Sequence, residues 1–158
     1  MTVDAQDYAG PMLQVALNGG RTKADHLAVP ITEEELVTAA LACRRVGARQ
    51  YHVHPRDPSG AETLDPETVD RVAARLHAAT GQPVGVSTGA WIEPDAERRA
   101  AAVRGWSRPD YASVNLGEDG ARDVMAALLD AGIGIEAGVW SVDDVQRLAD
   151  TGLAARVL

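Results

Sequence analysis

A β-strand followed by an α-helix recurs five times along the chain, and this alternation is the strongest constraint on the fold. The strand candidates are short apolar runs that each end in turn or capping residues. They cover residues 13–17, 50–54, 83–87, 111–116 and 134–139. Strands that are buried on both faces and alternate with helices form parallel sheets with right-handed crossovers. The sequence therefore predicts an α/β protein with a parallel sheet.

Capping residues mark the boundaries of the predicted helices. Thr32 and Glu35 form a capping-box pattern ahead of the first helix. Asp65 with Pro66 opens the second helix. We expect the third helix to start at residues 93–94, the fourth near residue 120 and the fifth after Ser141. Glycines end all five helices: Gly47, Gly81, Gly105, Gly132 and Gly152.

The number of strand and helix units is smaller than a closed barrel requires. A (β/α)₈ TIM barrel has eight units and usually about 250 residues, whereas this chain has five units and the opening of a sixth strand at residues 156–158. We expect a single, partial TIM-barrel domain over residues 1–158, either completed by a partner or truncated, with its C-terminal units missing. A doubly wound fold is the alternative, but its glycine-rich phosphate fingerprint is missing after the first strand.

Composition limits the class of protein and its partners. The chain has 158 residues, 46% of them hydrophobic, and a net charge of -8. An acidic chain with 4% aromatic residues lacks the basic face and the stacking platforms of nucleic-acid binders. No apolar stretch could span a bilayer and residues 1–10 lack a signal-peptide pattern, so we expect a cytoplasmic protein without a membrane partner. The single cysteine, Cys43, is assigned to the core.

Two histidines lie two residues apart at the end of the second predicted strand. Because alternate strand residues point to the same face, His52 and His54 can converge on one cation. The carboxyl ends of strands carry the chemistry in α/β folds, which favours a metal site here. The alternative is a pair of histidines satisfied by hydrogen bonds in a polar core.

Six motifs in order resemble the β-keto acid cleavage enzymes, which are often named after their 3-keto-5-aminohexanoate cleavage member. The motifs span nearly the whole chain, so the resemblance is far more specific than the histidine pair alone. They are LNGGRTKADH at residues 17–26, VPIT at 29–32, HVHPRD at 52–57, VSTGAW at 86–91, ASVNL at 112–116 and EAGVWS at 136–141.

The resemblance implies a zinc-dependent (β/α)₈ barrel that condenses a β-keto acid with acetyl-CoA and splits the adduct into acetoacetate and a new CoA thioester. His52 and His54 match the family's two histidine ligands. Two imidazoles and one carboxylate leave open zinc positions, where the oxygens of a keto acid can be polarised. The family's third ligand, a glutamate, and its neighbouring aspartate base come from a late strand, and no position among residues 1–158 corresponds to them.

The resemblance also implies substrate-binding residues at the strand ends. Ser87 matches a family serine, and its hydroxyl is expected to hydrogen-bond the substrate carboxylate together with Thr88. The alternative is an ordinary strand-end turn. Ser113 stands where the family often has threonine, and Asn115 matches a family asparagine unless its amide is structural. Asn18, which follows the first strand, is also predicted to bind substrate.

Glu136 and Arg56 are the two catalytic candidates. Glu136 matches the first acidic position of the family's E-x-E segment, whereas Gly138 replaces the second. Arg56 follows the two histidines, and a guanidinium can clamp a carboxylate bidentately. The alternative for Arg56 is a salt bridge to Asp57 or Glu62.

Several functions remain open at this point. The first is a cleavage enzyme whose missing half is supplied by a longer gene product or a second chain, as a homo-oligomer or by pairing with a complementary barrel half. The second is an inactive half-barrel fragment or an interaction module. The third is another zinc-dependent barrel enzyme, such as a hydrolase that uses metal-bound hydroxide. His26 is expected to be a solvated loop residue, and His77 is assigned no role.

Overall fold

The computed structural model describes residues 12–153, which form one parallel sheet with helices between its strands. The strands are β1 (Gln14–Ala16), β2 (Gln50–Val53), β3 (Val84–Ser87), β4 (Tyr111–Asn115) and β5 (Gly134–Gly138). The helices are α1 (Glu33–Arg45), α2 (Pro66–Thr80), α3 (Ala96–Arg104), α4 (Ala121–Asp130) and α5 (Val142–Thr151). All five predicted strands are confirmed, and none of their ends differs by more than one residue.

The strand order is β1-β2-β3-β4-β5, and all neighbouring strands are parallel. A doubly wound sheet reverses its strand order at a switch point, whereas a barrel wall keeps the strands in sequence order. The described residues therefore form a partial α/β barrel, as expected, and the doubly wound alternative is wrong. The predicted sixth strand, residues 156–158, lies outside the described residues.

Capping contacts explain where the helices begin. The Thr32 side chain accepts a hydrogen bond from the backbone N–H of Glu35, and the Glu35 side chain accepts one from the backbone N–H of Thr32, as the capping box predicts. Helix α3 begins at Ala96, later than its predicted start at residues 93–94. The reason is that the carboxylate of Asp95 accepts the backbone N–H of Arg98 at 2.9 Å and so caps the helix. Side chains cap two further helices as predicted, at Asp65 and Ser141.

Alternate residues of each strand face opposite sides of the sheet. The outward set packs against the helices in the buried core and comprises Tyr51, Val53, Val84, Val86, Ala112, Val114 and Ile135. The partly buried Cys43 packs against the same core, as predicted. The inward set carries polar side chains: Gln14, His52, Ser87, Ser113, Asn115 and Glu136. Ser87 of β3 lies beside Ser113 of β4, which lies beside Glu136 of β5. The register therefore gathers polar side chains from several strands on one face.

The two edges of the described sheet carry exposed hydrophobic side chains. Met12 and Leu13 precede β1, and Val139, Trp140, Val142 and Val145 lie on or beside α5. Among the described residues, helix α5 buries only Asp144, whereas α2 buries Thr68, Val69, Val72, Ala73, Leu76 and Thr80. Strands β1 and β5, within residues 12–153, each pair on one side only. No helix in this range has both the length and the apolar character needed to cross a membrane.

Candidate active site

A cavity of about 610 Å³ lies at the carboxyl ends of the strands. Its size is within the range of small-molecule sites. Six of the predicted site residues line it: His52, His54, Ser87, Ser113, Asn115 and Glu136. The remaining lining residues are Gln14, Ala16, Trp91, Ala137, Gly138 and Trp140. Side chains that are far apart in the sequence therefore meet at the end of the sheet where α/β enzymes carry their chemistry.

His52 and His54 lie side by side in this cavity. Their ring centroids are 5.2 Å apart, and the ring planes meet at 73°. Both side chains are largely buried, with exposed fractions of 13% and 11%. The Nδ1 atom of each ring is buried and has no aligned hydrogen-bond partner among the described residues. Nδ1 of His54 lies 3.2 Å from the Glu62 carboxylate, whereas the nearest carboxylate oxygen to Nδ1 of His52 among the described residues is 4.0 Å away.

Burial keeps both imidazoles neutral. Burial, and secondarily the charge of the neighbouring His54, lowers the pKa of His52 to about 4. Burial also lowers the pKa of His54, although the nearby Glu62 carboxylate opposes this shift. The neutral ring carries the lone pair that binds a metal ion, so both side chains are in the form that a metal site requires.

Glu136 approaches the histidine pair from β5. Its Oε2 atom lies 4.0 Å from Nδ1 of His52 and accepts a hydrogen bond of 3.2 Å from Nε2 of Gln14. Gly138 stands two residues on, at the second acidic position. A Cβ atom at residue 138 would collide with Oδ1 of Asn115, so a side chain there requires the Asn115 side chain to move.

The hydroxyl of Ser87 and the amide of Asn115 differ in how many of their hydrogen-bonding groups have partners within the protein. Oγ of Ser87 accepts the backbone N–H of Gly89 at 3.2 Å, and its own O–H donates to no acceptor within the described part of the chain. Asn115 is engaged at both ends, because its Nδ2 donates to Glu118 at 2.7 Å and its Oδ1 accepts from Nε1 of Trp140 at 2.9 Å. Ser87 is therefore free to donate to a ligand, whereas the amide of Asn115 has the structural partners that the alternative interpretation required.

The model of the beta-keto acid cleavage enzyme family matches residues 11–153. The chain belongs to this family. The match covers most of the sequence and includes all nine predicted site residues. The resemblance carried by the six sequence motifs is thereby confirmed.

Two individual proteins that are similar to this chain share 30% and 12% sequence identity with it. A 3,5-dioxohexanoate:acetyl-CoA acetone transferase from Paraburkholderia graminis is 30% identical over 90 residues, which is 56% of this chain and 29% of that protein. A solved structure, an L-Ala-D/L-Glu epimerase, is similar with a TM-score of 0.37 and 12% identity, over 92% of this chain and 55% of that one. The chain thus spans only part of the length of both proteins.

Three predicted site residues of this β-keto acid cleavage family member lie outside the cavity lining. Asn18 forms two hydrogen bonds of 2.9 Å with the backbone of His54, one to the carbonyl and one from the N–H. Nη2 of Arg56 donates to the carbonyls of Gly19 and Arg21 at 2.5 and 3.0 Å. These contacts fix the loop after β1 against the end of β2. The third residue, Thr88, donates its hydroxyl to the carbonyl of Ser113 at 2.7 Å.

Glu62 is the site residue that the sequence did not single out. Its carboxylate lies 3.2 Å from Nδ1 of His54 and 3.4 Å from Nη1 of Arg56, and it accepts Nε1–H of Trp91 at 2.5 Å. The Trp91 ring stacks over His54, with centroids 6.1 Å apart. The sequence named Glu62 only as a possible salt-bridge partner of Arg56, and that ion pair is present.

The donor set for a metal is incomplete within the described residues. His52 and His54 provide two largely buried, neutral imidazoles that line the same cavity. No group of three or more His, Cys, Asp or Glu side chains among residues 12–153 is placed to hold a metal ion. The pair therefore fits two positions of a zinc site and leaves the others to be supplied.

The other two histidines lie away from the cavity. His26 accepts the backbone N–H of Ala28 at 3.1 Å on an exposed loop. His77 lies on α2, where its Nδ1 atom is 3.4 Å from Asp110. Neither residue lines the candidate active site.

Proposed function

We propose that this protein is a zinc-dependent β-keto acid cleavage enzyme that acts on a 3-keto acid and acetyl-CoA. The carboxymethyl unit of the keto acid joins the acetyl group and leaves as acetoacetate, while the remaining acyl group leaves as a CoA thioester. The observation that carries this proposal is the convergence of two neutral histidines with hydroxyl and carboxylate groups in one cavity. Membership of the family and a relative named as an acetyl-CoA acetone transferase support it.

His52 and His54 would hold the zinc ion through ring nitrogens that burial keeps neutral. When bound, zinc would supply Lewis-acid polarisation of the keto acid's oxygens. We propose that a third ligand, a carboxylate, comes from a polypeptide segment other than residues 12–153, because no third ligand group accompanies the pair within that range.

Ser87 and Ser113 are proposed to bind the substrate carboxylate. Their side chains are neighbours on β3 and β4, and both line the cavity. The O–H of Ser87 is available because its oxygen is used only as an acceptor in the contacts of the described chain. A hydroxyl that donates to a carboxylate forms a charge-assisted hydrogen bond, which is stronger than a neutral one.

Glu136 is the proposed catalytic carboxylate of the described chain, and it would assist the aspartate base that the family takes from a later strand. Its carboxylate lies on the cavity wall, where Oε2 accepts the hydrogen bond from Gln14 and Oε1 accepts none within residues 12–153. Arg56 has a different proposed role. Its guanidinium contacts Gly19, Arg21 and Glu62, so it would support the loops around the histidines.

The proposal is tested by measuring zinc content and acetoacetate formation from a panel of 3-keto acids with acetyl-CoA. His52→Ala and His54→Ala should each lose zinc and turnover. His77→Ala is the matched control, because this histidine lies on α2 and away from the cavity. Unchanged zinc occupancy in both cavity variants would remove the ligand assignment. Zinc-dependent ester hydrolysis without acetoacetate would favour a hydrolase instead.

We further propose that this protein self-associates through the two edges of the sheet that residues 12–153 form. Both edges carry exposed hydrophobic residues, among them Leu13, Trp140 and Val142. Exposed apolar strand edges favour pairing with another chain. Light scattering should give the mass of a dimer or a larger oligomer. A monomer that associates only with a separately expressed complementary barrel half would replace this proposal.

A further inference from the structure

The environments of the two cavity histidines differ in one respect. His54 has a carboxylate 3.2 Å from its Nδ1 atom, whereas the nearest carboxylate to Nδ1 of His52 is 4.0 Å away. We propose that Glu62 is a positioning residue that orients the His54 ring so that its Nε2 atom faces the ligand. This inference rests on the proposed metal site and adds to it a residue that does not itself touch the ligand.

The Glu62 carboxylate is enclosed by hydrogen-bond donors and by the guanidinium of Arg56. The side chain is 10% exposed, and it lies near the cationic Arg56, whose own side chain is 4% exposed. Its Oε2 atom accepts the hydrogen bond from Trp91, so Oε1 is the atom that approaches both His54 and Arg56. A carboxylate held in this way accepts hydrogen bonds and donates none. The group beside Nδ1 of His54 is therefore a fixed acceptor.

A short turn places Glu62 beside the end of β2. Oδ1 of Asp57 accepts the backbone N–H groups of Ser59 and Ala61 at 2.8 and 3.1 Å, and the N–H of Asp57 donates to the carbonyl of Ala61 at 2.8 Å. Asp side chains commonly stabilise turns in this manner. The chain then returns antiparallel, and Glu62 forms a bridge with Arg56. These contacts therefore fix the backbone of Glu62, and the hydrogen bond from Trp91 holds its carboxylate.

The acceptor beside Nδ1 has a direct consequence for the ring. In a neutral imidazole one nitrogen carries the proton and the other carries the lone pair. An acceptor next to Nδ1 favours the proton on Nδ1, which leaves the lone pair on Nε2. Carboxylates that contact metal-binding histidines act in this way, and their loss typically weakens metal affinity by about 10- to 100-fold. In the structure the contact is within hydrogen-bonding distance but is not aligned.

The test uses Glu62→Gln with Glu33→Gln as the matched control. Glu33 also pairs with arginines, at 2.7 Å to Arg71 and 3.0 Å to Arg75, but it lies on α1 away from the cavity. In Glu62→Gln a single carbonyl oxygen must serve both Trp91 and His54. We expect Glu62→Gln to weaken zinc binding by about 10-fold or more in a chelator competition, and Glu33→Gln to leave it unchanged.

A second readout separates orientation from support of the fold. Nitrogen-15 NMR of labelled histidines in the metal-free protein should show His54 with its proton on Nδ1, and Glu62→Gln should shift the proton towards Nε2. A lower melting temperature with unchanged zinc affinity and tautomer would overturn the inference. If Glu62→Gln does not fold, the NMR spectrum of the metal-free wild-type protein decides, because a proton on Nε2 of His54 in that spectrum overturns the proposal.

The two proposals fail in different ways. If the wild-type protein binds no zinc even when the segment that supplies the third ligand is present, the proposed metal function is wrong, and the His54 tautomer alone then decides whether Glu62 orients the ring. If the wild type binds zinc through both histidines and Glu62→Gln binds equally well, only the positioning role is wrong.

Discussion

The two faces of the sheet use the same strands for different purposes. On the outer face, Val86 and Ile135 are fully buried against the helices. On the inner face, the next residues in the sequence, Ser87 and Glu136, line the cavity. Strand side chains alternate, so a step of one residue decides whether a side chain contributes to stability or to chemistry. Within each strand, alternate residues therefore contribute to stability on the outer face and to the cavity on the inner face.

The inner face also contains polar atoms that the fold leaves without aligned partners. Nδ1 of His52 is buried in this state, whereas Nδ1 of His54 lies 3.2 Å from the Glu62 carboxylate without alignment. A buried polar atom without a partner costs about 1–3 kcal/mol. The difference indicates that the outer face provides stability, whereas the inner face gives up some stability to hold reactive groups.

The largest expected effect on the free energy of unfolding comes from one of two single substitutions at adjacent positions on β5. Ile135→Ala removes a fully buried side chain and should lower the free energy of unfolding by about 2–5 kcal/mol, as cavity-forming substitutions do. Glu136→Gln, on the inner face, should change it by less than about 0.5 kcal/mol while reducing turnover. Urea denaturation and the acetoacetate assay measure the two quantities. Equal destabilisation by both variants would contradict the division between the faces.

An intermediate effect is expected from filling the space at Gly138. In Gly138→Ala the new Cβ would meet Oδ1 of Asn115, and we expect a loss of about 1–3 kcal/mol in unfolding free energy. The double variant Gly138→Ala with Asn115→Ala removes the colliding atom and should be less destabilised than the sum of the single variants. Strict additivity would show that the contact with Asn115 is not the cause.

A smaller effect is expected at Asn18, whose amide contacts the backbone of His54. Asn18→Asp keeps the acceptor for the N–H of His54 and loses the donor to its carbonyl, which should cost about 1 kcal/mol. Zinc affinity should fall as well, because the displaced backbone carries a proposed ligand. Substitution of Asn18 should therefore weaken zinc binding, as substitutions on the inner face do, although Asn18 does not line the cavity. Lost stability with unchanged zinc affinity would show that Asn18 contributes to stability alone, as residues of the outer face do.

The smallest effect concerns the capping box of α1, which lies in the outer layer. The hydrogen bond from Lys23, followed by those from the N–H groups of Ile31 and Thr32, lowers the pKa of Glu35 from 4.5 to about 2. A carboxyl group with a lowered pKa in the folded state stabilises the protein above its unfolded pKa. This contribution should be complete above pH 4.5 and should be lost as the pH falls towards 2. The melting temperature of Glu35→Gln should depend less on pH across this window than that of the wild type.

Most of the fold could be predicted because its signals are local. The strands are short apolar runs, and Thr32, Asp65 and Ser141 cap helices through atoms only three residues away. The start of α3 was predicted too early because Glu93, Pro94 and Asp95 are all typical helix-start residues. Only the hydrogen bond from Arg98 selects Asp95 as the cap. Local patterns thus predict which strands and helices form more accurately than they predict where each one begins and ends.

The candidate site could be predicted only in part. The spacing of His52 and His54 placed both rings on one face, and the family motifs indicated Ser87, Ser113 and Glu136. The motifs did not show that the side chain of Arg56 would bind the carbonyls of the loop after β1. Such contacts depend on how a loop folds against its neighbours, for which the sequence has no periodic signal.

The sequence by itself determined the order of strands and helices, the family and the two histidines, because each depends on residue types at short, regular spacings. Only the tertiary structure decided the surroundings of those histidines. Glu62 reaches His54 through a turn that Asp57 stabilises, and it accepts a hydrogen bond from Trp91, 29 residues further along the chain. The fold likewise brings Gln14 of β1 to Glu136 of β5 across 122 residues. These partners are set by packing in space, which residue spacing along the chain does not encode.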